Sequence, residues 1–320
     1  TDKIGVDLMY VMLEKQRNRG QDGAGIACVR IDADPGEPYV DVSKSNAKNA
    51  IDDLFETKVP ESKKSFLGDV YIGHVRYGTF GSHSVDDLHP FIRESNWRSK
   101  CALLAGNFNL TNSDDLFDSL VEAGQHPRAK SDTVTCLEII GQALDAENGR
   151  RYVSFSSQGH VPRKCTELVE ENLDLAGVLA EAAKDWDGGF AMVGMLGTGD
   201  AFAIRDRHGI RPCFHWANED FIVVASERGV IAAAFQVEDH ASIHELSPGA
   251  ALIVRAGDHH LHHHDHSGSC GRPAAAAGAD SSSSTSTSPA DSTTGSTTTP
   301  SATTCGYQIK RIMQPEPPRK

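Results

Sequence analysis

The run C-A-L-L-A-G-N-F-N-L-T-N, Cys101 to Asn112, holds a strand, a turn and a helix start in close succession. Cys101–Leu104 is short, apolar and uninterrupted, the pattern of a buried strand, and Gly106-Asn107 behind it reads as a turn. Asn112-Ser113 then opens a helix. Asp114 and Asp115 fall in its first turn, Leu116, Phe117, Leu120 and Val121 form its apolar face, and Gly124 ends it. The same device recurs at Ser131-Asp132, which starts a helix with Val134, Leu137, Ile140 and Leu144 inward.

On the N-terminal side, Asp7–Gln16 has helical spacing with an apolar stripe of Leu8, Val11 and Met12, and it stops at the polar turn Arg17–Asp22. Gly25–Val29 and Val70–Val75 read as strands. On the C-terminal side, Leu175–Lys184 reads as a helix, and Phe190–Leu196, Ala201–Ile204, Phe221–Ser226 and Ala250–Val254 read as strands. Runs of strands with the helices grouped between them indicate an α+β sandwich rather than alternating βαβ units.

The 320 residues are 39% hydrophobic, and the deficit is concentrated after Asp258. There the sequence turns His-rich (His259, His260, His262, His263, His264, His266) and then Ser/Thr/Ala/Pro/Gly-rich up to about Thr304, too poor in apolar residues to offset its ordering entropy. The expected organisation is one compact domain over 1–257, a low-complexity linker over 258–305, and an apolar-containing segment over 306–320. No acidic or Cys partners accompany the histidines at structural spacing, so no metal site is expected. A net charge of −13 argues against nucleic acid as a partner. Seven scattered cysteines without paired spacing, no signal peptide and no long apolar run imply reduced thiols, a cytoplasmic location and no membrane span.

Four stretches carry candidate chemistry: R-G-Q-D-G-A-G-I at Arg19–Ile26, G-H-V-R-Y-G-T at Gly73–Thr79, A-G-N-F-N-L-T-N at Ala105–Asn112 and R-D-R-H-G-I-R-P at Arg205–Pro212. Arg76 lies just past a strand, where a guanidinium can meet a carboxylate with two parallel hydrogen bonds or form an ordinary surface ion pair. Asp132 lies where a helix N-cap belongs. Asn107 and Phe108 offer a side-chain amide and a backbone N–H at one turn. Asp22, in a Gly-rich turn, reads as structural. In the fourth stretch Asp206 and His208 form a tempting acid–base pair, but a structural role is preferred.

Taken together and in this order, the four stretches resemble the glutaminase domain of class II glutamine amidotransferases. The fourth looks like that of the phosphoribosylpyrophosphate (PRPP) amidotransferases among them. The resemblance implies a four-layer αββα sandwich of the N-terminal-nucleophile hydrolase type. It implies that Arg76 holds the α-carboxylate of L-glutamine, that Asp132 holds its ammonium, and that the Asn107 side chain and the Phe108 N–H form an oxyanion hole. Arg19, Gly20 and Thr79 belong to the same binding motifs. The commoner N-G-N form has Gly where this chain has Phe108, and a Cβ there disfavours positive φ.

The resemblance also implies an N-terminal Cys, whose thiolate attacks the glutamine amide and whose α-amino group is the base. Thr1 is too close to Arg19 to stand in for it. As written, the sequence is expected to be part of a longer protein, lacking the first strand and its Cys, binding glutamine poorly and not hydrolysing it. Residues 306–320 are expected to begin a connector to a phosphoribosyltransferase domain, and Mg and PRPP are expected only there, with no cofactor in residues 1–257. In the whole enzyme, a homo-oligomer by resemblance, ammonia from glutamine would serve 5-phosphoribosylamine formation in purine synthesis. The rival readings are a non-catalytic glutamine sensor or scaffold and another class II amidotransferase.

Overall fold

A computed structural model describes residues 4–61, 66–77, 84–256 and 307–313. In chain order its elements are α1 (Ile4–Lys15), β1 (Gly23–Val29), β2 (Val40–Ser45), α2 (Ala50–Asp53), α3 (Val59–Glu61), β3 (Val70–Arg76), β4 (Phe91–Arg93) and β5 (Ala102–Leu110). There follow α4 (Ser113–Glu122), α5 (Asp132–Ser157), α6 (Pro162–Asn172), α7 (Leu175–Ala182), β6 (Gly188–Leu196), β7 (Ala201–Arg205), β8 (Phe214–Ala217) and β9 (Ile222–Ala225). The last are α8 (Arg228–Phe235), β10 (His244–Glu245), β11 (Ala250–Val254) and β12 (Tyr307–Arg311). The strands form a six-stranded sheet, β12-β11-β7-β6-β5-β4, and two three-stranded sheets, β2-β1-β3 and β10-β8-β9.

Side-chain alternation along the strands builds four layers. Leu104 and Leu110 of β5, with Phe190 and Met192 of β6, face α4, α5 and α7 through Leu116, Leu137, Ile140 and Leu179. Leu103 and Ala105 face the other way, onto Ala27 and Val29 of β1 and Ile72 of β3, while Ala203 and Leu252 meet Cys213 below the third sheet. The outer face of β1 (Ile26, Cys28) is covered by Leu13, Ile51 and Leu54, and that of β9 by Met12, Val230 and Ile231. The expected αββα sandwich is the observed one.

Three local expectations give way. The stripe of α1 is not Leu8, Val11 and Met12: Met12 and Leu13 are its buried residues, because the helix packs against two neighbours, Leu13 towards β1 and Met12 towards α8. No turn interrupts β5 at Gly106-Asn107; the strand continues to Leu110, paired with β6 down to Leu110↔Gly188. And the sandwich does not end at 257. Tyr307–Arg311 pairs antiparallel with Ala250–Val254, and Met313 is buried in the main core. So 307–313, assigned to a connector on sequence, are the edge of the central sheet. Residues 258–305 and 314–320 lie outside the described residues.

The chain therefore leaves the sheet after β11 and returns to pair with that same strand about 50 residues later. Closure entropy scales as (3/2)RT ln n, so replacing residues 257–306 by a turn of about four residues should recover roughly 2 kcal/mol. A rise in Tm of roughly 5 °C is expected; loss of cooperative melting in that variant would contradict the β11–β12 pairing.

Candidate functional site

The geometry of β5 and its neighbours sets the site. In an antiparallel ladder successive residues turn their N–H and C=O groups to opposite sides. Gly197 N–H donates to Cys101 O and Thr111 N–H to Asp187 O, so the odd-numbered residues of β5 bond β6. The even ones, Gly106, Phe108 and Leu110, turn theirs towards β4. But β4 pairs only with residues 102–104 (Phe91↔Leu104 to Arg93↔Ala102), so beyond Leu104 this edge has no partner strand among the described residues.

Side chains meet two of these three amides. Gly106 N–H donates to His89 Nδ1 (3.2 Å) and Leu110 N–H to Asp132 Oδ2 (3.0 Å). Between them the Phe108 N–H has no acceptor among the described residues. The Phe108 ring turns to the helical layer, against the core and 6.0 Å from the His89 ring. Asn107 shares the face of Leu103 and Ala105, towards the β1–β3 sheet, and is exposed at the end of that face.

Asp132 is the first residue of α5, not its N-cap. Ser131 caps, its Oγ accepting from Val134 N–H (3.4 Å), which frees the Asp132 carboxylate to reach back to β5. Arg76 closes β3 opposite Gly23, and its carbonyl accepts from Asp22 N–H (3.0 Å). Gly20 lies flat on this strand end: a Cβ there would sit 2.7 Å from the Val75 and Arg76 carbonyl carbons, so only Gly fits. The Arg19 guanidinium pairs with Glu227 (2.6 Å). Thr79 lies outside the described residues.

Two histidines that sequence reasoning passed over complete the cluster. His74 of β3 and His89 face each other with ring centroids 4.3 Å apart, and His89 Nε2 lies 3.1 Å from Thr133 Oγ1. Withdrawal from water pushes His74 down to about 4, with the Arg76 charge adding to the effect. It pushes His89 well below the usual range, reinforced by His74, Lys44 and Arg76. Both rings are neutral. His74 stood inside a quoted stretch; His89 had only its place before Pro90 to mark it.

The fourth stretch is scaffolding. Asp206, fully buried, accepts from the backbone N–H groups of His208 (2.9 Å), Ile210 (3.0 Å), Arg211 (3.1 Å) and Phe190 (3.3 Å). It is the backbone N–H of His208, not its ring, that meets Asp206, and no acid–base pair forms. Arg205 donates to the carbonyls of Arg211, Leu246 and Gly209 and pairs with Glu245 (2.7 Å). Among the described residues no group of His, Cys, Asp and Glu could hold a metal ion, and no helix is long and apolar enough to cross a membrane. All five described cysteines are buried. Burial pushes the thiols of Cys28 and Cys213 up to about 12, and those of Cys101 and Cys136 upward too, away from the thiolate form.

A family model described as class-II glutamine amidotransferases matches residues 163–267. The amidophosphoribosyltransferase of Escherichia coli is 30% identical over 252 residues, covering 77% of this chain and 43% of the relative. That of Pseudomonas aeruginosa is 27% identical over 251 residues, with the same coverage. The structure of glutamine PRPP amidotransferase from B. subtilis, complexed with ADP and GMP, superposes with a TM-score of 0.55 at 25% identity, covering 78% of this chain and 45% of that one. This is a class II glutamine amidotransferase domain, related to the amidophosphoribosyltransferases. The chain spans less than half the length of these relatives.

Two outcomes follow for stability. Asp206→Ala would leave four backbone amides, one of them buried, without their acceptor and should cost about 2 to 3 kcal/mol in urea denaturation; a loss below about 1 kcal/mol would show that the loop does not depend on them. For the histidines, the folded rings have pKa values below the unfolded value of about 6.5, so the unfolded chain binds their protons first. Their contribution is fully present above pH 6.5 and is lost as pH falls towards 4. His74 alone should withdraw on the order of 2 kcal/mol between pH 7 and 5, read as a fall in the urea midpoint that His74→Gln diminishes.

Proposed function

We propose that this domain recognises L-glutamine at the open edge of β5. What supports the reading is that Arg76 at the end of β3, whose charge acts on both histidine rings beside Gly106, would take the α-carboxylate, the Asp132 carboxylate at the start of α5, bonded to Leu110, the ammonium, and the Phe108 N–H between them the side-chain carbonyl. Phe108 keeps its backbone donor in a plain strand conformation, so its Cβ is no obstacle. Asn107, on the neighbouring face, supplies a second donor. Two such donors aimed at a developing oxyanion are worth several kcal/mol in amide cleavage.

Cleavage itself needs a thiolate. All five described thiols are buried, so the described residues recognise glutamine without supplying the nucleophile that turns it over. In a whole protein built like the relatives, ammonia released here would pass to a phosphoribosyltransferase domain with its PRPP and Mg and form 5-phosphoribosylamine; the likeness to amidophosphoribosyltransferases supports this. A glutamine sensor or scaffold is the second reading, favoured by the same buried thiols.

Calorimetric titration of the full chain with L-glutamine tests the site. Binding in the millimolar range or tighter is expected, with none for D-glutamine. Arg76→Lys, which loses the bidentate fork, and Asp132→Asn should each weaken it at least tenfold. Absence of binding, or binding indifferent to both substitutions, would overturn the proposal. Glutamate appearing during incubation would refute the non-catalytic reading.

A further inference from the structure

Beyond Leu104 the Gly106 peptide has no strand to bond on the β4 side, yet both of its polar groups on that side are met. Its N–H donates to His89 Nδ1 at 3.2 Å. Its backbone also makes a hydrogen bond with the His74 ring that favours the protonated ring, as only a bond donated by the imidazole does, so the acceptor is the Gly106 carbonyl. The two rings that take these roles lie against each other, 4.3 Å between centroids and 36° between planes.

The tautomer of His89 follows. Its Nδ1 accepts, so in the neutral ring Nε2 carries the hydrogen and donates to Thr133 Oγ1. His89 thus links β5 to the first turn of α5, next to Asp132, whose carboxylate holds Leu110. The Phe108 amide lies between these two fixed points. Gly106 itself has no room to shift, since a Cβ there would lie 2.5 Å from Ala191 O.

We propose that His74 and His89 are positioning residues: as a neutral imidazole pair they replace the absent strand at Gly106, hold the next free amide, that of Phe108, at the angle a ligand carbonyl requires, and release it when acid charges them. The ligand named here rests on the glutamine reading above; the clamp does not.

The charged surroundings favour the neutral pair. Arg76 reaches both rings from β3 and Lys44 reaches His89 from β2, while Asp86 and Asp87 act on Lys44. Asp132 stands beside Thr133 on α5 with one oxygen committed to Leu110. A proton on His89 Nδ1 turns an acceptor into a donor facing the Gly106 N–H, so the bond is lost rather than weakened. A charge on both rings adds repulsion across their contact.

The test uses the full chain, labelled with 15N, and imidazole and amide NMR spectra from pH 8 to 4. At pH 7.5 His89 should show a bare Nδ1 and a protonated Nε2, and His74 should be neutral. Between pH 6.5 and 4 the Gly106 and Phe108 amide signals should move together with the His74 ring. Affinity for L-glutamine should hold within about twofold from pH 7.5 to 5 and begin to fall as pH drops to 4, where the His74 ring becomes half charged. His89→Gln, whose side chain can accept from Gly106 and donate to Thr133, should keep the two amide shifts and bind glutamine within about threefold of the parent. His89→Leu should displace both signals and weaken binding at least tenfold. A His89 ring charged at pH 7.5, or protonated on Nδ1, would overturn the clamp, as would unchanged Gly106 and Phe108 amides in His89→Leu. Should that variant not fold, the parent ring tautomers and the His89→Gln shifts still decide. The spectra need no ligand, so failure of glutamine to bind would sink the functional reading while they judge the clamp separately.

Discussion

A backbone amide inside a protein must find an acceptor, and β5 is much longer than the strand beside it. Nine residues of β5 pair with β6 on one side; only three pair with β4 on the other. On the β4 side, Gly106, Phe108 and Leu110 are left without a ladder. Unmet amides at that depth are costly, and the fold answers with side chains from two directions, His89 from the segment before β4 and Asp132 from the head of α5, with His74 of β3 packed on the His89 ring. Among the described residues the amide left without an acceptor is that of Phe108, the one proposed to meet a ligand. The site is thus the unfinished end of a sheet.

This explains why the recognition residues come from distant parts of the sequence. β3 reaches the end of β5 because Ala27, Val29 and Ile72 pack on Leu103 and Ala105. α5 reaches it because Leu137, Ile140 and Leu144 pack under Leu104 and Leu110. The Gly20 loop can lie on Arg76 only without a side chain. Across β6 at this same end of the sheet, where Phe190 pairs with Phe108, Asp206 gathers its loop onto Phe190, and Ile210 packs over Gly189.

Much of this was legible in the sequence. Apolar, β-branched runs marked β1, β3, β6, β7 and β11, and Asp- or Ser-rich starts marked α4 and α5, because those signals are local. The turn expected at Gly106-Asn107 failed because pairing with β6 outweighs the turn preference of two residues. β4 is too short to show a period, and the partner of β12 lies about 50 residues earlier, beyond any local window. In the site, Arg76, Asp132, Asn107 and Phe108 stood in quotable stretches, whereas His89 acts through a ring contact and two hydrogen bonds that no spacing announces. The N-cap at the head of α5 was misplaced by one residue, a small error in sequence that decides whether the Asp132 carboxylate serves its own helix or β5.

The return of the chain at β12 has a topological consequence. Tyr307–Arg311 is joined to β11 by a ladder and to the core by Met313, and by covalent bonds only through the long excursion. A single cut within 257–306 would leave β12 held to the rest by its five-residue ladder and Met313 without a covalent link. The same arrangement makes the last segment a natural complementation fragment: a strand that a chain ending near Ala256 would lack, and that a separate peptide would restore.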